Sequence, residues 1–338
     1  MTPAPLSPAP GLAPVPAQPG AAAATTSAAP PPVAATGFLS DALRTPPRAA
    51  KTRAVSQKKG YWLAAPYFVH LAVFFGYPLA FSLVLVFHHW DAVTPMEWAG
   101  LGNFVRLFQD DVFFRAILNT GVFLALHIPL QIAVALGFAE LLNSRLKGRT
   151  FFRTVYFLPV VVSGVVVTLL FQQLFAFETG YINGVIAALG GEKVPWLVSP
   201  ALAMPAIALI ATWKNVGLYV VLFLAGLQNI PESLYEVARC EGATAWQRWR
   251  HVTLPLLNPM LVTVVVLSTI GGFSLFVEPY VLTGGGPLGS TTSALLYVYN
   301  QAFYFNHMGY AAALGLFFAV VILAVVALQR RFVESDVS

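Results

Sequence analysis

Charged side chains are scarce in this sequence. Asp, Glu, Lys and Arg together make up 10% of its 338 residues, compared with about 25% in ordinary soluble domains. A water-soluble fold of this size could not cover its surface with so few charges. The composition therefore argues against a cytoplasmic enzyme and against a nucleic-acid-binding domain, and the hydrophobic fraction of 57% indicates that the solvent is lipid.

Cysteine is almost absent, and so are the common catalytic motifs. Cys240 is the one cysteine of the sequence, which excludes an internal disulfide framework and a cysteine-rich metal site. There is no HExxH or CxxC pattern, and no Gly-Lys dipeptide that would mark a phosphate-binding P-loop. We therefore expect no catalytic residue, no metal and no cofactor in this chain, and no ATPase activity of the P-loop type.

The first 58 residues differ from everything after them. Of the 25 prolines, 12 lie at or before Pro47, and small residues fill the space between them. Such a stretch lacks the large apolar side chains that offset chain entropy, so residues 1–58 are predicted to be a disordered Pro/Ala-rich tail. Basic residues gather near its end: Arg44, Arg48, Lys51, Arg53, Lys58 and Lys59. Residues 59–333 are predicted to form one membrane domain.

Long charge-free intervals divide the remainder of the chain. A helix that crosses about 30 Å of hydrocarbon needs roughly 20 apolar residues. Six transmembrane helices are predicted, at 62–87, 116–141, 155–177, 202–225, 256–282 and 308–329. The fourth contains Lys214. No charged residue occurs between Glu278 and Arg330, but the Gly-Gly-Gly-Pro run at 284–287 favours one loop and one helix there.

The basic residues predict the orientation of these helices, because cytoplasmic segments of membrane proteins are enriched in Lys and Arg. With the N-terminus inside, 15 of the 19 basic residues fall on the cytoplasmic side. Only Arg106, Arg115 and Lys193 fall outside. An odd number of spans would put Arg330 and Arg331 on the wrong side, so six spans with both termini in the cytoplasm are predicted.

The segment at 226–255, between the fourth and fifth predicted helices, has the pattern of an amphipathic helix–turn–helix. Proline and an acid at 231–232 are typical of a helix start. Gly242 is predicted to end that helix. A second short helix then carries Trp246, Trp249 and Val252, and Leu254-Pro255 is predicted to open the next span. On the pattern alone, a loop that merely covers lipid headgroups is as good an interpretation as a docking element.

The same segment resembles the EAA loop of ABC importer permeases. The residues that carry the resemblance are Glu236, Ala238, Glu241, Gly242, Ala243, Leu254 and Pro255. The departures from the family pattern are mild: Val237 for Ala, Glu241 for Asp, Trp249 for Phe and Val252 for Ile. The resemblance implies that the loop contains a coupling helix that docks on a separate ATPase subunit.

Two further stretches resemble the carbohydrate branch of these permeases, namely LAGLQNIP at 224–231 and YVLTGGGP at 280–287. The second is similar to the LTGGGP-carrying membrane subunit of maltose-type transporters, and the resemblance covers residues 61–333. It implies an all-α integral membrane protein of the type I ABC importer permease kind that translocates a sugar or oligosaccharide. It also implies a bacterial or archaeal cytoplasmic membrane, a second permease, two ATP-binding cassette subunits that hold ATP and Mg, and an extracytoplasmic solute-binding protein.

Polar and small residues inside the fourth and fifth predicted helices are candidates for the substrate pathway. An ionisable group in a membrane costs roughly 2.5–3.5 kcal/mol on insertion scales, which favours a functional role for Lys214. The candidates are Lys214, Asn215, Leu218 and Tyr219 in one helix, and Ser268, Gly271, Gly272 and Leu275 in the other. Lys214 could equally snorkel or pair with a partner subunit, and the small residues could serve tight helix packing. His127 is expected to hydrogen-bond a neighbouring helix.

Other functions compete with a sugar importer. A glycerol-phosphate permease belongs to a close relative of the sugar group. An ion-coupled secondary transporter would use Lys214 and Glu278 as coupling groups, although no internal repeat of the kind found in such proteins is visible. Importers of amino acids or oxyanions lack the LTGGGP-type stretch, and an intramembrane enzyme would need paired acids or metal ligands that the helices do not offer.

Overall fold

The computed structural model describes residues 57–144 and 148–334. The predicted disordered tail lies outside these residues except for its last two positions, 57 and 58. The basic residues Arg145 and Lys147 also lie outside the described residues. The chain divides into two units, Met1–Pro66 and Tyr67–Ser338. The described part of the first unit is the start of a helix. From Tyr67 onward, every element described below belongs to the second unit.

The first predicted span is helical but not uniform. Helix α1 (Gln57–Leu71) is followed by a π-helical turn (Ala72–Gly76) and by α2 (Tyr77–Leu85). A two-residue hairpin, β1 (His88–His89) and β2 (Glu97–Trp98), is antiparallel with His88 opposite Trp98. Helix α3 (Gly102–Phe108) then leads into the first of two long core helices.

Two long helices form the centre of the fold. These are α4 (Asp111–Asn143) and α8 (Pro200–Gln228), which pack along each other. Small side chains of α4, Ala135 and Ala139, are fully buried and leave room for Val220 and Phe223 of α8, which are also fully buried. This close approach fixes the spacing of the two helices.

The third predicted span, 155–177, is wrong as a single straight helix. It consists of α5 (Arg149–Val161) and α6 (Gly164–Leu174), bent by 99° at their junction. Pro159 removes a backbone donor near the end of α5, and Val162 is extended with φ −79° and ψ 143°. A proline close to the junction is a common cause of such a sharp bend in a helix.

The remaining helices complete the bundle. They are α7 (Tyr181–Ala188), α9 (Glu232–Cys240), α10 (Ala245–Arg248), α11 (Leu254–Phe273), α12 (Val277–Leu282), α13 (Ala294–Tyr299) and α14 (Met308–Glu334). π-helical turns join α10 to α11 (Trp249–Thr253) and follow α13 (Asn300–Tyr304). The fold is therefore almost entirely helical, as predicted.

Within the described residues, five helices are long and apolar enough to cross a membrane. They are Ala64–Leu85, Asp111–Asn143, Pro200–Gln228, Ala245–Leu282 and Met308–Arg331. The bent pair α5 and α6 makes a sixth if the two helices together count as one span. Each of the six predicted segments thus corresponds to helical structure.

Candidate functional site

The first helix of the 226–255 segment forms where the sequence predicts it. Pro231 is the extended N-cap residue, with φ −60° and ψ 129°, and α9 begins at Glu232. The Glu232 carboxylate pairs with the Arg239 guanidinium at 3.1 Å. Leu234 and Val237 on this helix are 41% and 56% exposed. The helix therefore leaves apolar surface exposed beside its ion pair.

Gly242 ends α9 by adopting a left-handed conformation, with φ +78°. The Ala243 N–H donates to the Ala238 carbonyl at 2.9 Å, which closes the helix end. A capping box between Thr244 and Gln247 starts α10 immediately afterwards. The turn is thus defined by one glycine and one cap. Among the predicted coupling residues, Glu236, Glu241, Gly242 and Pro255 are exposed, and Ala238, Ala243 and Leu254 are half-buried.

Helix α11 begins at Leu254 with Pro255 in its first turn, as predicted, but the second helix of the segment does not end before it. Helical structure runs from Ala245 through the π-helical turn into α11. In that turn the Leu254 N–H donates to the Trp249 carbonyl five residues earlier. The wider turn comes next to Pro255, which has no N–H to donate, so the proline is accommodated without ending the helix.

One side-chain hydrogen bond within this segment joins its first helix to the start of α11, and another attaches the segment to α4. The Tyr235 hydroxyl of α9 lies 3.0 Å from the Thr253 hydroxyl. The Trp249 indole N–H donates to the Glu140 carboxylate near the end of α4. Trp249 also stacks on Trp246 with 4.9 Å between ring centroids. We call the two hydrogen bonds, Tyr235–Thr253 and Trp249–Glu140, the loop clamp.

A second candidate site is a cavity of about 250 Å³ between α4, α8, α11 and α12. Its lining combines small, polar and ionisable side chains: Phe123, His127, Ala211, Lys214, Asn215, Tyr219, Ser268, Gly271, Gly272, Ser274, Leu275, Val277 and Glu278. The structure thus brings together seven of the eight predicted pathway residues. Leu218 does not line the cavity and is 44% exposed, because helix periodicity places it near Lys214 but does not define which positions a neighbouring helix covers.

Lys214 and Glu278 face the cavity without touching each other. Neither side chain forms an ion pair or a hydrogen bond within the described residues. Glu278 is 8% exposed. The Lys214 ammonium lies against Gly164, the first residue of α6, where an added Cβ would stand 2.8 Å from Nζ. The bend between α5 and α6 therefore provides the space that the lysine occupies.

His127 forms the predicted hydrogen bond to a neighbouring helix. Its Nδ1 lies 2.9 Å from the Thr212 hydroxyl of α8, and its ring stacks on Phe123 at 4.9 Å. Sequence reasoning missed Phe123, since an aromatic residue in an apolar helix resembles a lipid-facing one. The spacing of Phe123 and His127, one helical turn apart, was the available signal.

The aromatic residues near the cavity divide into two groups. Phe273 is 6% exposed and packs edge-on against Phe318, so it belongs to the core. Phe276 and Tyr280 stack on each other at 5.3 Å, and Tyr299 contacts both rings. Phe276 and Tyr280 flank Val277 and Glu278 in the chain, but none of the three rings lines the cavity.

Hydrogen bonds to neighbouring residues hold the Gly-Gly-Gly-Pro loop in place, and its role in the fold is structural. The Thr292 hydroxyl donates to the Gly285 carbonyl at 3.0 Å, and Asn119 of α4 donates to the Gly289 carbonyl at 2.8 Å. Gly285 has φ +88°, and an added Cβ would stand 2.6 Å from the Thr292 hydroxyl oxygen. A side chain at this position would therefore be excluded both by the backbone conformation and by contact.

The end of the bundle opposite the 226–255 segment is held by Asp110. Its carboxylate caps α4 by accepting from the Phe113 N–H at 3.0 Å, and it accepts from the Tyr297 hydroxyl at 2.7 Å. The Tyr310 hydroxyl donates to the same carboxylate. Burial alone would raise the pKa of the Asp110 carboxyl, but these hydrogen bonds outweigh burial and keep that pKa below its usual value. Burial and the nearby Asp110 carboxylate raise the pKa of Tyr297.

Comparisons with known proteins agree with this architecture. Residues 131–335 match the family described as binding-protein-dependent transport system inner membrane component. The lactose transport system permease protein LacF of Rhizobium radiobacter is 36% identical, over 82% of this chain and 94% of the relative. The arabinooligosaccharides transport system permease protein AraP of Bacillus subtilis (strain 168) is 35% identical, over 78% of this chain and 85% of the relative.

The same architecture is found in a solved transporter. The bacterial alginate ABC transporter, in complex with alginate pentasaccharide-bound periplasmic protein, contains a chain with a TM-score of 0.70 and 26% identity to this one. The match covers 82% of this chain and 96% of that one. Taken with the family match and the two similar permeases, the helical bundle and its loop identify this chain as a member of the binding-protein-dependent transport system inner membrane component family, the permeases of ABC transporters.

Proposed function

We propose that this chain is a carbohydrate-translocating permease of an ATP-driven importer in the cytoplasmic membrane of a bacterium or archaeon. The observation that carries the proposal is the cavity between α4, α8, α11 and α12, which has a polar lining inside otherwise apolar helices. Polar groups in such a location are costly and mark solute pathways. The sugar and oligosaccharide permeases among the relatives support a carbohydrate as the solute.

In this proposal the chain crosses the membrane six times, with the bent pair α5 and α6 as the third span and both termini in the cytoplasm. The distribution of basic residues supports that orientation. It puts the 226–255 segment on the cytoplasmic side and the Asp110 end outside. The solute then enters from the Asp110 end.

The partners follow from the same surfaces. The exposed apolar face of α9 at Leu234 and Val237 docks on an ATP-binding cassette subunit, which carries the ATP and Mg. A second permease and a second ATPase subunit complete the complex, and a solute-binding protein delivers the carbohydrate. The periplasmic protein in the alginate transporter complex supports the last partner.

Movement of α9 during the ATPase cycle is transmitted to the cavity through the helices that line it. Helix α11 is continuous with the 226–255 segment, and it carries Ser268, Gly271 and Gly272 at the cavity. Closure of the ATPase subunits thus alternates access to the cavity between the two sides of the membrane. The chain itself performs no chemical step.

Reconstituted uptake tests the proposal. The importer with its ATPases and binding protein, in liposomes, is expected to accumulate a carbohydrate only when ATP is present. A Gly242→Val variant should assemble in the membrane but lose uptake, because a left-handed backbone costs a β-branched residue about 1–2 kcal/mol and disturbs the docking turn. Gly242→Asn, which tolerates that conformation, is the control.

Uptake driven by a proton or sodium gradient without ATP would contradict the proposal and favour the ion-coupled alternative. Selective accumulation of glycerol phosphates, with no uptake of sugars, would instead favour the glycerol-phosphate type. Unchanged uptake by Gly242→Val would contradict the docking role of the 226–255 segment, but it would leave the carbohydrate function in place.

A further inference from the structure

The cavity holds two opposite charges that do not neutralise each other by contact. Glu278 is 8% exposed, and its carboxylate has no partner within the described residues. Lys214 approaches the same space from α8, and no nitrogen–oxygen distance between the two groups falls within ion-pair range. The Glu278 oxygens are not among the fully buried atoms that lack a partner, so they are open to the cavity and take their partner from it, either water or a ligand.

The uncharged polar side chains around Lys214 and Glu278 also have donors or acceptors that can bind a ligand. Ser268 is fully buried in α11, and its hydroxyl interacts with the Tyr219 hydroxyl, so one of the two hydroxyls can still serve a ligand. Asn215 donates its amide N–H to the Ala211 carbonyl at 3.0 Å, which leaves its side-chain oxygen available. The cavity therefore offers donors and acceptors in several directions.

A polyhydroxylated ligand satisfies such a lining. A sugar hydroxyl donates to the Glu278 carboxylate, and another accepts from the Lys214 ammonium, so each charge gains a charge-assisted hydrogen bond. Because the two charges sum to zero, an uncharged ligand enters without leaving a net charge in the cavity.

A ligand with a carboxylate meets a different field. It is attracted by Lys214 but repelled by Glu278, and it leaves a net negative charge in a space of about 250 Å³. Like charges placed together in a poorly solvated site raise the free energy of the complex, which is how binding sites reject wrong ligands.

We propose, on the basis of the carbohydrate function above, that Lys214 and Glu278 are a charge-balanced pair that makes the cavity selective for uncharged carbohydrates over uronates. Glu278 is the residue that rejects the anion. Lys214 balances the charge of Glu278, so that the empty cavity carries no net charge. Specificity at this step is separate from the selection made by the binding protein.

Ligand binding by the whole importer in lipid nanodiscs, without the binding protein, tests the pair. The probes are matched neutral and acidic disaccharides, galactobiose with digalacturonate and mannobiose with dimannuronate, together with lactose. The wild type is expected to bind at least one neutral sugar more tightly than any uronate. Glu278→Gln is expected to shift the ratio of neutral to uronate affinity by about tenfold or more toward the uronates.

The double variant Lys214→Met with Glu278→Gln restores a net charge of zero, so it should return the ratio toward the wild-type preference for neutral sugars. Glu192→Gln, which removes an exposed carboxylate between α7 and α8, is the matched control and should leave the ratio unchanged. Assembly with the ATPase subunits verifies that each variant is folded.

A wild-type preference for uronates would overturn the inference, and so would a ratio that Glu278→Gln changes by less than about twofold. A double variant that keeps the altered ratio would show that charge balance is not the cause. Absence of binding of any probe would overturn the proposed carbohydrate function, and this inference with it.

Discussion

Asp110 connects three parts of the chain through one carboxylate. It caps α4 and accepts hydrogen bonds from Tyr297 in α13 and from Tyr310 in α14. Arg106 lies over the Tyr310 ring, 4.0 Å from its centroid, and adds a cation–π contact. One side chain with several partners therefore joins α4, α13 and α14 at the end of the bundle opposite the 226–255 segment.

Asp110→Ala is expected to destabilise the protein by about 2–3 kcal/mol, from the lost cap and from buried tyrosine hydroxyls left without an acceptor. Thermal unfolding of the purified protein in detergent measures the loss. Asp111→Ala is the matched control, because the neighbouring carboxylate accepts no hydrogen bond within the described residues. Equal loss in both variants would contradict the role assigned to Asp110.

The same carboxyl gives a pH dependence of defined sign. Its pKa is lower in the folded protein than in the unfolded chain, so ionised Asp110 stabilises the fold above the usual carboxyl pKa of about 4. That contribution is lost as the pH falls through the lower folded-state pKa. The difference in stability between wild type and Asp110→Ala should therefore shrink in acid.

Individual cavity residues were partly predictable from the sequence. Lys214 is a charge inside an apolar run, and the small residues Gly271 and Gly272 follow it on the next helix, so chemistry and spacing both point to them. Phe123 is indicated only by its position one helical turn from His127, and Leu218 lies on the predicted face but outside the cavity. Periodicity identifies a face of a helix, whereas the neighbouring helices decide which part of that face borders a cavity.

At the scale of elements, the loop clamp links the 226–255 segment to α4 and α11, two of the four helices that line the cavity. Trp249 binds the end of α4 through Glu140, and Thr253 leads directly into α11. Glu140 and His127 are 13 positions apart on α4, which corresponds to about 20 Å of helix. A rigid helix transmits a displacement over that distance without a chain of intervening contacts.

Trp249→Phe keeps the ring but removes the indole donor, and Glu140→Gln removes the charge of the acceptor. On the proposed function, each is expected to lower the amount of solute imported per ATP hydrolysed by about three- to tenfold. The double variant should lose little more than either single variant, since both break one interaction. Paired uptake and ATPase assays on the reconstituted importer measure this ratio.

Trp246→Phe is the control for the clamp, because the Trp246 indole N–H makes no hydrogen bond in the described part of the chain. Fully additive losses in the double variant would contradict the role of the Trp249–Glu140 hydrogen bond in coupling. An equal loss of coupling in Trp246→Phe would contradict it as well. Unchanged coupling in all three variants would mean that α9 acts on the cavity by another route.

Helix boundaries were harder to predict than the helices themselves. The segment at 155–177 contains no charged residue, and only Pro159 and the Ser163-Gly164 pair indicate the 99° bend. The prolines at 255 and 66 lie within helical stretches instead of ending them. Proline predicts a local loss of one hydrogen bond, and the surrounding packing decides whether that loss becomes a bend, a π-helical turn or an end.

For the whole molecule, the single cysteine provides a test of the proposed topology. Cys240 is exposed at the end of α9, on the cytoplasmic side of the proposed six-span arrangement. A membrane-impermeant maleimide is expected to leave Cys240 unlabelled in intact cells and to label it in inside-out vesicles. Docking of the ATPase subunit should slow the labelling further.

A Cys240→Ser variant that carries Glu192→Cys should show the opposite accessibility, because position 192 lies in the segment between α7 and α8. Labelling of Cys240 from outside would contradict the proposed orientation. Equal accessibility of both positions from one side would contradict the number of spans between them.

The contact between Gly164 and Lys214 has a genetic consequence. A methyl group at position 164 would stand 2.8 Å from the lysine nitrogen. Because that nitrogen is the far end of a flexible side chain, Gly164→Ala should be tolerated once the ammonium moves aside. A larger residue at the bend is therefore expected more readily among descendants of this sequence that have lost the lysine than among those that keep it.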